Sequence, residues 1–174
     1  NKDLKVINNA TNGTIEFNGD FNSTANLTVS APQSGIVQKQ GTNITLTGAS
    51  TDINAGNFIQ LDNVTSNQSV NITSTGFKGH PGNVSFSGTF KQEGGALNIT
   101  APVVSARDAN GANFNGTDKS TISIKTTTLT TETGAVNLHN YTTSEISNRD
   151  GGDLTITGAN PLNLSGANAT LSSS

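Results

Sequence analysis

Six stretches of the chain share one form: a polar residue, an apolar one, Thr or Ser, a second apolar one, and often Thr or Ser again near a Gly. They are "ANLTVS" (25–30), "TNITLTG" (42–48), "VNITSTG" (70–76), "GNVSFSG" (82–88), "ALNIT" (96–100) and "GDLTITG" (152–158). Alternation of this kind is the period of a β-strand, whose successive side chains point to opposite faces. Helical spacing is missing. No window of eleven or more residues carries apolar positions three and four apart without Gly or a Thr/Asn cluster interrupting it. Further short runs, among them 13–17, 35–38, 57–64, 103–107, 120–126, 135–140, 161–166 and 169–173, also read as strands, separated by Gly, Asn, Asp and Ser turns.

A motif repeated this often decides the fold before any other clue. With Leu27, Ile44, Ile72, Ile99, Ile122 and Leu154 as anchors the spacings are 17, 28, 27, 23 and 32, the size of one solenoid coil holding two or three short strands. A β-sandwich is the competing architecture, but it favours two-residue Asn-Gly or Asp-Gly hairpins and a core with several large aromatics. Only 31% of this chain is hydrophobic and 5% aromatic. A solenoid core is a narrow column that Val, Ile, Leu and Ala fill, with Asn, Ser and Thr stacked in ladders at the bends. The expected fold is therefore all-β: a right-handed parallel β-helix of roughly seven or eight coils with protruding loops, residues 1–174 forming a single β-solenoid segment.

Composition narrows the function. The chain carries 24 Asn and 44 Ser plus Thr, charged residues make up 12%, and the net charge is −3. Few charges, four Pro and abundant β-branched residues separate it from a disordered linker. The mildly acidic balance, without a basic patch, argues against nucleic acid as a partner. No Cys is present, which excludes disulfides, thiolate metal sites and a cysteine nucleophile. The chain starts without Met and shows no apolar signal or run of 18 apolar residues, so it reads as a piece of a longer protein.

Catalytic constellations are missing from the pattern. His80 in "KGHPG" and His139 in "NLHNY" lie in polar surroundings without a serine elbow or a zinc helix nearby. Acidic residues are scattered; only Asp150 and Asp153 in "NRDGGD" come close, and that stretch reads as a turn. Polysaccharide-cleaving solenoids need grouped acids, so an enzyme is not expected, and no cofactor is implied. Residues 107–120, "RDANGANFNGTDKS", read as the longest loop. Asp108, Asn110, Asn113, Asn115 and Asp118 suggest hard oxygen ligands for calcium, but the Gly spacing and the missing terminal Glu fail the EF-hand pattern. A self-satisfying turn is the simpler reading, and no metal site is assigned. Residues 75–83, with Lys78 and His80, read as a second surface loop.

Asn-x-Ser/Thr triplets stand at Asn9, Asn12, Asn22, Asn26, Asn43, Asn63, Asn67, Asn71, Asn83, Asn98, Asn115, Asn140, Asn163 and Asn168. Fourteen exceed the chance expectation of 24 × 44/174, about six. Part of the excess is the strand motif itself, because Asn and Thr flank an inward apolar residue and share the outward face. That frame displays the amide to solvent and makes all fourteen candidate glycosylation acceptors. Asn71 is explained by the motif. Asn67 falls in the turn before it, where no repeat rule demands a triplet.

The repeat style, triplet density and "RDGGDLTITGAN" (149–160) resemble the exoproteins of bacterial two-partner secretion, the filamentous-haemagglutinin-like family, and within it the high-molecular-weight adhesin group of Haemophilus. The resemblance spans residues 13–173. It implies a β-helix rod exported by an outer-membrane secretion partner and held at the bacterial cell surface. It also implies hexosylation of Asn by a cytoplasmic glycosyltransferase and attachment to host-cell glycans or glycoproteins, some sialylated. The secretion-domain "NPNG" motif is not in this sequence. For an anionic sugar the expected glycan-binding residues are Arg107, Lys119, Lys78 and Lys91, which lie in or beside the two loops. Lys125 and Arg149 read as charges that discourage edge pairing, and uncapped coil ends predict end-to-end self-association. The rival expectation is a non-binding structural stalk.

Overall fold

The computed structural model describes residues 2–173, which form twenty β-strands and no helix. The chain winds through successive coils of three strands. The first coil is β1 (Asp3–Ile7), β2 (Ile15–Phe17) and β3 (Phe21–Ser23), and the second is β4 (Asn26–Ala31), β5 (Gly35–Gln38) and β6 (Asn43–Leu46). The third is β7 (Ser50–Ala55), β8 (Phe58–Leu61) and β9 (Asn63–Ser66); the fourth is β10 (Ser69–Ser74), β11 (Asn83–Phe86) and β12 (Thr89–Gln92). In the fifth and sixth the first two strands fuse, giving β13 (Gly95–Ala106) with β14 (Ala112–Asn115), and β15 (Ser120–Thr130) with β16 (Val136–Tyr141). The seventh is β17 (Thr143–Asn148), β18 (Thr155–Thr157) and β19 (Leu162–Gly166), after which β20 (Ala169–Ser172) opens another turn.

Each strand pairs in parallel with its counterpart one coil away. The first face runs β1-β4-β7-β10-β13-β15-β17-β20, the second β2-β5-β8-β11-β13-β15-β18 and the third β3-β6-β9-β12-β14-β16-β19. The only antiparallel bridge among the described residues is Phe77↔His80. This is the parallel β-solenoid expected from the repeat, with about seven turns.

The core follows from the alternation. On the first face Val29, Ile53, Ile72, Ile99, Ile124 and Ile146 stack inward in one column, buried from coil to coil. Each fully buried side chain of this size contributes about 1.5–3 kcal/mol. In the fourth and fifth coils the core is aromatic: Phe86 and Phe114 meet edge to face at 4.7 Å with Phe90 beside them. Corners need their backbone groups satisfied inside, and fully buried Gln38 does this. Its Oε1 accepts from the Asp62 N–H at 2.8 Å, while its Nε2 donates to the Thr42 and Asn63 carbonyls at 3.0 and 2.9 Å. Gly95, at φ +75°, turns the chain from the third face to the first so close to Gln68 and Ser69 that a Cβ would strike their backbone.

Three expectations change. The anchor spacings mixed faces: Leu27, Ile72, Ile99 and Ile122 lie on the first, Ile44 on the third and Leu154 just before β18 on the second. True coil steps on the first face run from Ile53↔Ile72 to Ile72↔Ile99 to Ile124↔Ile146. Residues 107–120 are not one loop. Ala112–Asn115 is β14, because Phe114 is an inward core residue that pairs with Phe90 and Leu138 on its neighbours. Asn ladders also run along the faces, not at the bends, which belong to inward Gln and Ser.

Candidate functional site

Period-two alternation leaves each face with two outward columns of side chains, one row per coil about 4.8 Å apart. The first face mixes charges into its rows, with Asp52, Lys125 and Glu145 outward. The second differs. Its columns run Val37, Gln60, Ser85, Ser105, Thr130, Thr157 and Gly35, Phe58, Asn83, Val103, Thr128, Thr155, with no charged residue from β5 to β18. Phe58 is the one aromatic in these columns. Its ring lies over Gly35, occupying the space a Cβ there would take, which buries Gly35 while Phe58 itself stays half-buried.

Outward amides form directed ladders. On the third face Asn163 Nδ2 donates to Asn137 Oδ1 at 2.6 Å, Asn137 to Asn113 at 3.0 Å, and Asn113 to the Gly88 carbonyl at 3.4 Å. On the first face Asn98 donates to Asn71 at 2.9 Å, and Asn71 to the Asp52 carboxylate at 3.0 Å; Asn26 donates likewise to Asp3 at 3.1 Å. Carboxylates only accept, so they close these ladders.

The ladders divide the fourteen triplets. The amide nitrogens of Asn26, Asn71, Asn98 and Asn163 donate within ladders, Asn83 donates to the Asn57 carbonyl and Asn63 to Asp62. These side chains face outward as the alternation requires, but their nitrogens are already engaged. Asn9, Asn12, Asn22, Asn43, Asn67, Asn140 and Asn168 are exposed, and no side-chain nitrogen among them donates a hydrogen bond within the described residues. Asn115 is half-buried on β14. Asn12, Asn140 and Asn168 also take positive φ, the left-handed turn geometry that Asn tolerates.

The four cations named for an anionic sugar sit in different places. Lys78 stands in the turn between the first and second faces, its Nζ 5.3 Å from the Phe77 ring centroid. Lys91 is outward on β12, 3.5 Å from Glu93. Lys119 is exposed in the turn between β14 and β15. Arg107 follows β13 at the corner between the second and third faces, and its guanidinium donates to the Gln38 carbonyl at 2.6 Å. Burial pulls the Arg107 pKa down while Asp62 and Asp108 push it back up. Its corner is a cross-coil network: buried Asp62 accepts from Ser87 Oγ at 2.8 Å and the Gly41 N–H at 2.7 Å, and Gln40 donates to Asp108 at 2.6 Å. Sequence reasoning missed this network, which joins residues up to 69 positions apart.

Of the oxygen-bearing side chains in 107–120, Asn113 belongs to the third-face ladder and Asp108 to the Arg107 corner. No group of three His, Cys, Asp or Glu side chains arranged to hold a metal occurs among the described residues. One unanticipated contact pairs His139 Nδ1 with Ser165 Oγ at 2.6 Å across β16 and β19. It lies on the open third face without a carboxylate to orient the ring, so the pair lacks the third member that serine activation needs. Tyr141 is buried, its hydroxyl has no hydrogen-bond partner among the described residues, and burial raises its pKa. Among the described residues no helix is long and apolar enough to cross a membrane. Comparison with protein-family models, curated proteins and solved structures finds no match.

Proposed function

We propose that this segment belongs to the surface rod of a secreted bacterial adhesin that attaches to host cells through glycans held on its sides. The observation that carries the reading is the repetition of outward hydroxyl and amide columns over about seven coils, which offers the same polar contacts many times along one direction. Repeated weak contacts add up through effective concentration, so a rod of this kind suits attachment to a dense glycan layer. The triplet excess and the exposed amides of residues such as Asn67 support a glycosylated surface protein. In the full-length protein an outer-membrane secretion partner and an Asn-glycosyltransferase complete this reading.

A structural stalk is the second reading, favoured by the exposed Leu4, Ile156 and Leu171 at the two ends, in register with buried Leu27, Leu129 and Ile146, which suit stacking of further coils or of copies end to end. Binding of the purified chain to epithelial cells separates the two. Saturable binding competed by free glycan supports the adhesin; an ordered chain that binds no cell and no glycan supports the stalk.

A further inference from the structure

We infer that the second face is the sugar-binding surface and that its ligand is an uncharged oligosaccharide lying along the coil axis. The inference rests on the adhesin reading and assigns its surface and ligand class. Three observations converge on this face. Charge is missing from its outward columns between β5 and β18, whereas the first face carries both signs. A sialylated or sulfated chain would find no counter-charge in these columns, and a neutral one loses no ion hydration on docking. The Phe58 ring lies over Gly35, a position that no other residue type allows without displacing it. An aromatic laid on a sheet face offers an apolar surface to the C–H side of a sugar ring, with the Gln60 amide on the same strand for its hydroxyls. Gln60 beside it makes no hydrogen bond through its side chain within the described residues, so its amide is available to a ligand.

The cations do not build such a site. Lys78, Lys91, Arg107 and Lys119 stand at separate turns and strands, and Arg107 is committed to the Gln38 carbonyl.

The test uses the whole chain on surfaces carrying lactose, N-acetyllactosamine or cellotetraose, with sialyllactose and sulfated N-acetyllactosamine alongside. Gln60→Glu introduces charge without changing shape, Phe58→Ala removes the ring, and Thr73→Glu places the same charge on the first face as a control. We expect retention on at least one neutral sugar, reduced tenfold or more by Gln60→Glu and by Phe58→Ala and unchanged by Thr73→Glu, with all three melting as cooperatively as the parent. Retention only on the anionic sugars, or retention indifferent to Gln60→Glu, overturns the inference while epithelial-cell binding keeps the adhesin reading. A chain that sediments as a dimer split by Gln60→Glu and binds no sugar assigns the face to a second copy, which also overturns it. Absence of both cell and sugar binding removes the adhesin reading and the inference together.

Discussion

The middle coils and the end coils are written in the same sequence style and differ in what surrounds them. Ile99, with coils on both sides, is 0% exposed; Leu171 on β20, which continues the same face, is 51% exposed, and Leu4 on β1, in register with buried Leu27, is 39% exposed. "DLTITG" carries the same alternation as "TNITLTG", yet Ile156 is 40% exposed and Ile44 only 5%. Burial in this molecule is therefore a property of stacking. A strand pattern specifies which side faces inward, and the neighbouring coils decide whether that side becomes dry.

The largest test of this difference is Ile99→Ala against Leu171→Ala. Equilibrium urea unfolding should show a loss of about 2–5 kcal/mol for Ile99→Ala and under about 0.5 kcal/mol for Leu171→Ala. Similar losses at both sites would refute the stacking account.

Charged corners give a second contrast. Arg107→Ala removes the bond to the Gln38 carbonyl and the cation beside buried Asp62, and should cost about 1–2 kcal/mol. Arg149, paired with exposed Asp150 at 3.2 Å in the seventh coil, should cost under about 1 kcal/mol on replacement by Ala. Thermal melts in low and high salt distinguish them, because only the Arg149 contribution should fade as salt rises.

How far the sequence speaks also varies between regions. Alternation in "VNITSTG" and "ALNIT" fixes strands, inward residues and parallel stacking, and the lack of helical spacing is equally plain. Coil phase is hidden, because the same motif occurs on all three faces and therefore cannot mark where a turn begins. β12 and β14 escape notice since "TFKQ" and "ANFN" each carry a single large apolar residue; their burial depends on Phe90 and Phe114 meeting in the core and on Gln92 turning inward to bond backbone carbonyls. The outward direction of Asn71 and Asn98 is legible. That one donates to the other depends on a register 27 residues long, which no local pattern records.

The ladders supply the third contrast. Asn98→Ala removes the last donor of the first-face ladder, within an internal coil, and should cost about 1 kcal/mol, whereas Asn163→Ala, in the last coil of the third face, should cost about half that or less. In a host that modifies Asn-x-Ser/Thr, peptide mapping should find sugar on Asn67 in chains whose melt is unchanged. Sugar on Asn98 should instead lower the melting temperature.

The smallest effect belongs to Tyr141, the only tyrosine. Its buried hydroxyl has no partner, so Tyr141→Phe should leave stability at neutral pH unchanged or raise it by under about 1 kcal/mol. Burial keeps the folded phenol protonated, while an unfolded one ionises near pH 10. The unfolded chain then holds fewer protons, and stability falls as pH rises beyond about 10. Tyr141→Phe should flatten that part of the profile relative to the parent.

The direction of the amide ladders has a temporal meaning. Every rung on the first and third faces donates its hydrogen bond to the coil nearer the amino terminus, and on the first face the series closes on a carboxylate that can only accept. A chain that emerges amino end first thus lays down each receptor before its donor arrives, so every completed coil is a template waiting for the next. The molecule carries an arrow along its axis, readable in which atom of each Asn faces which neighbour.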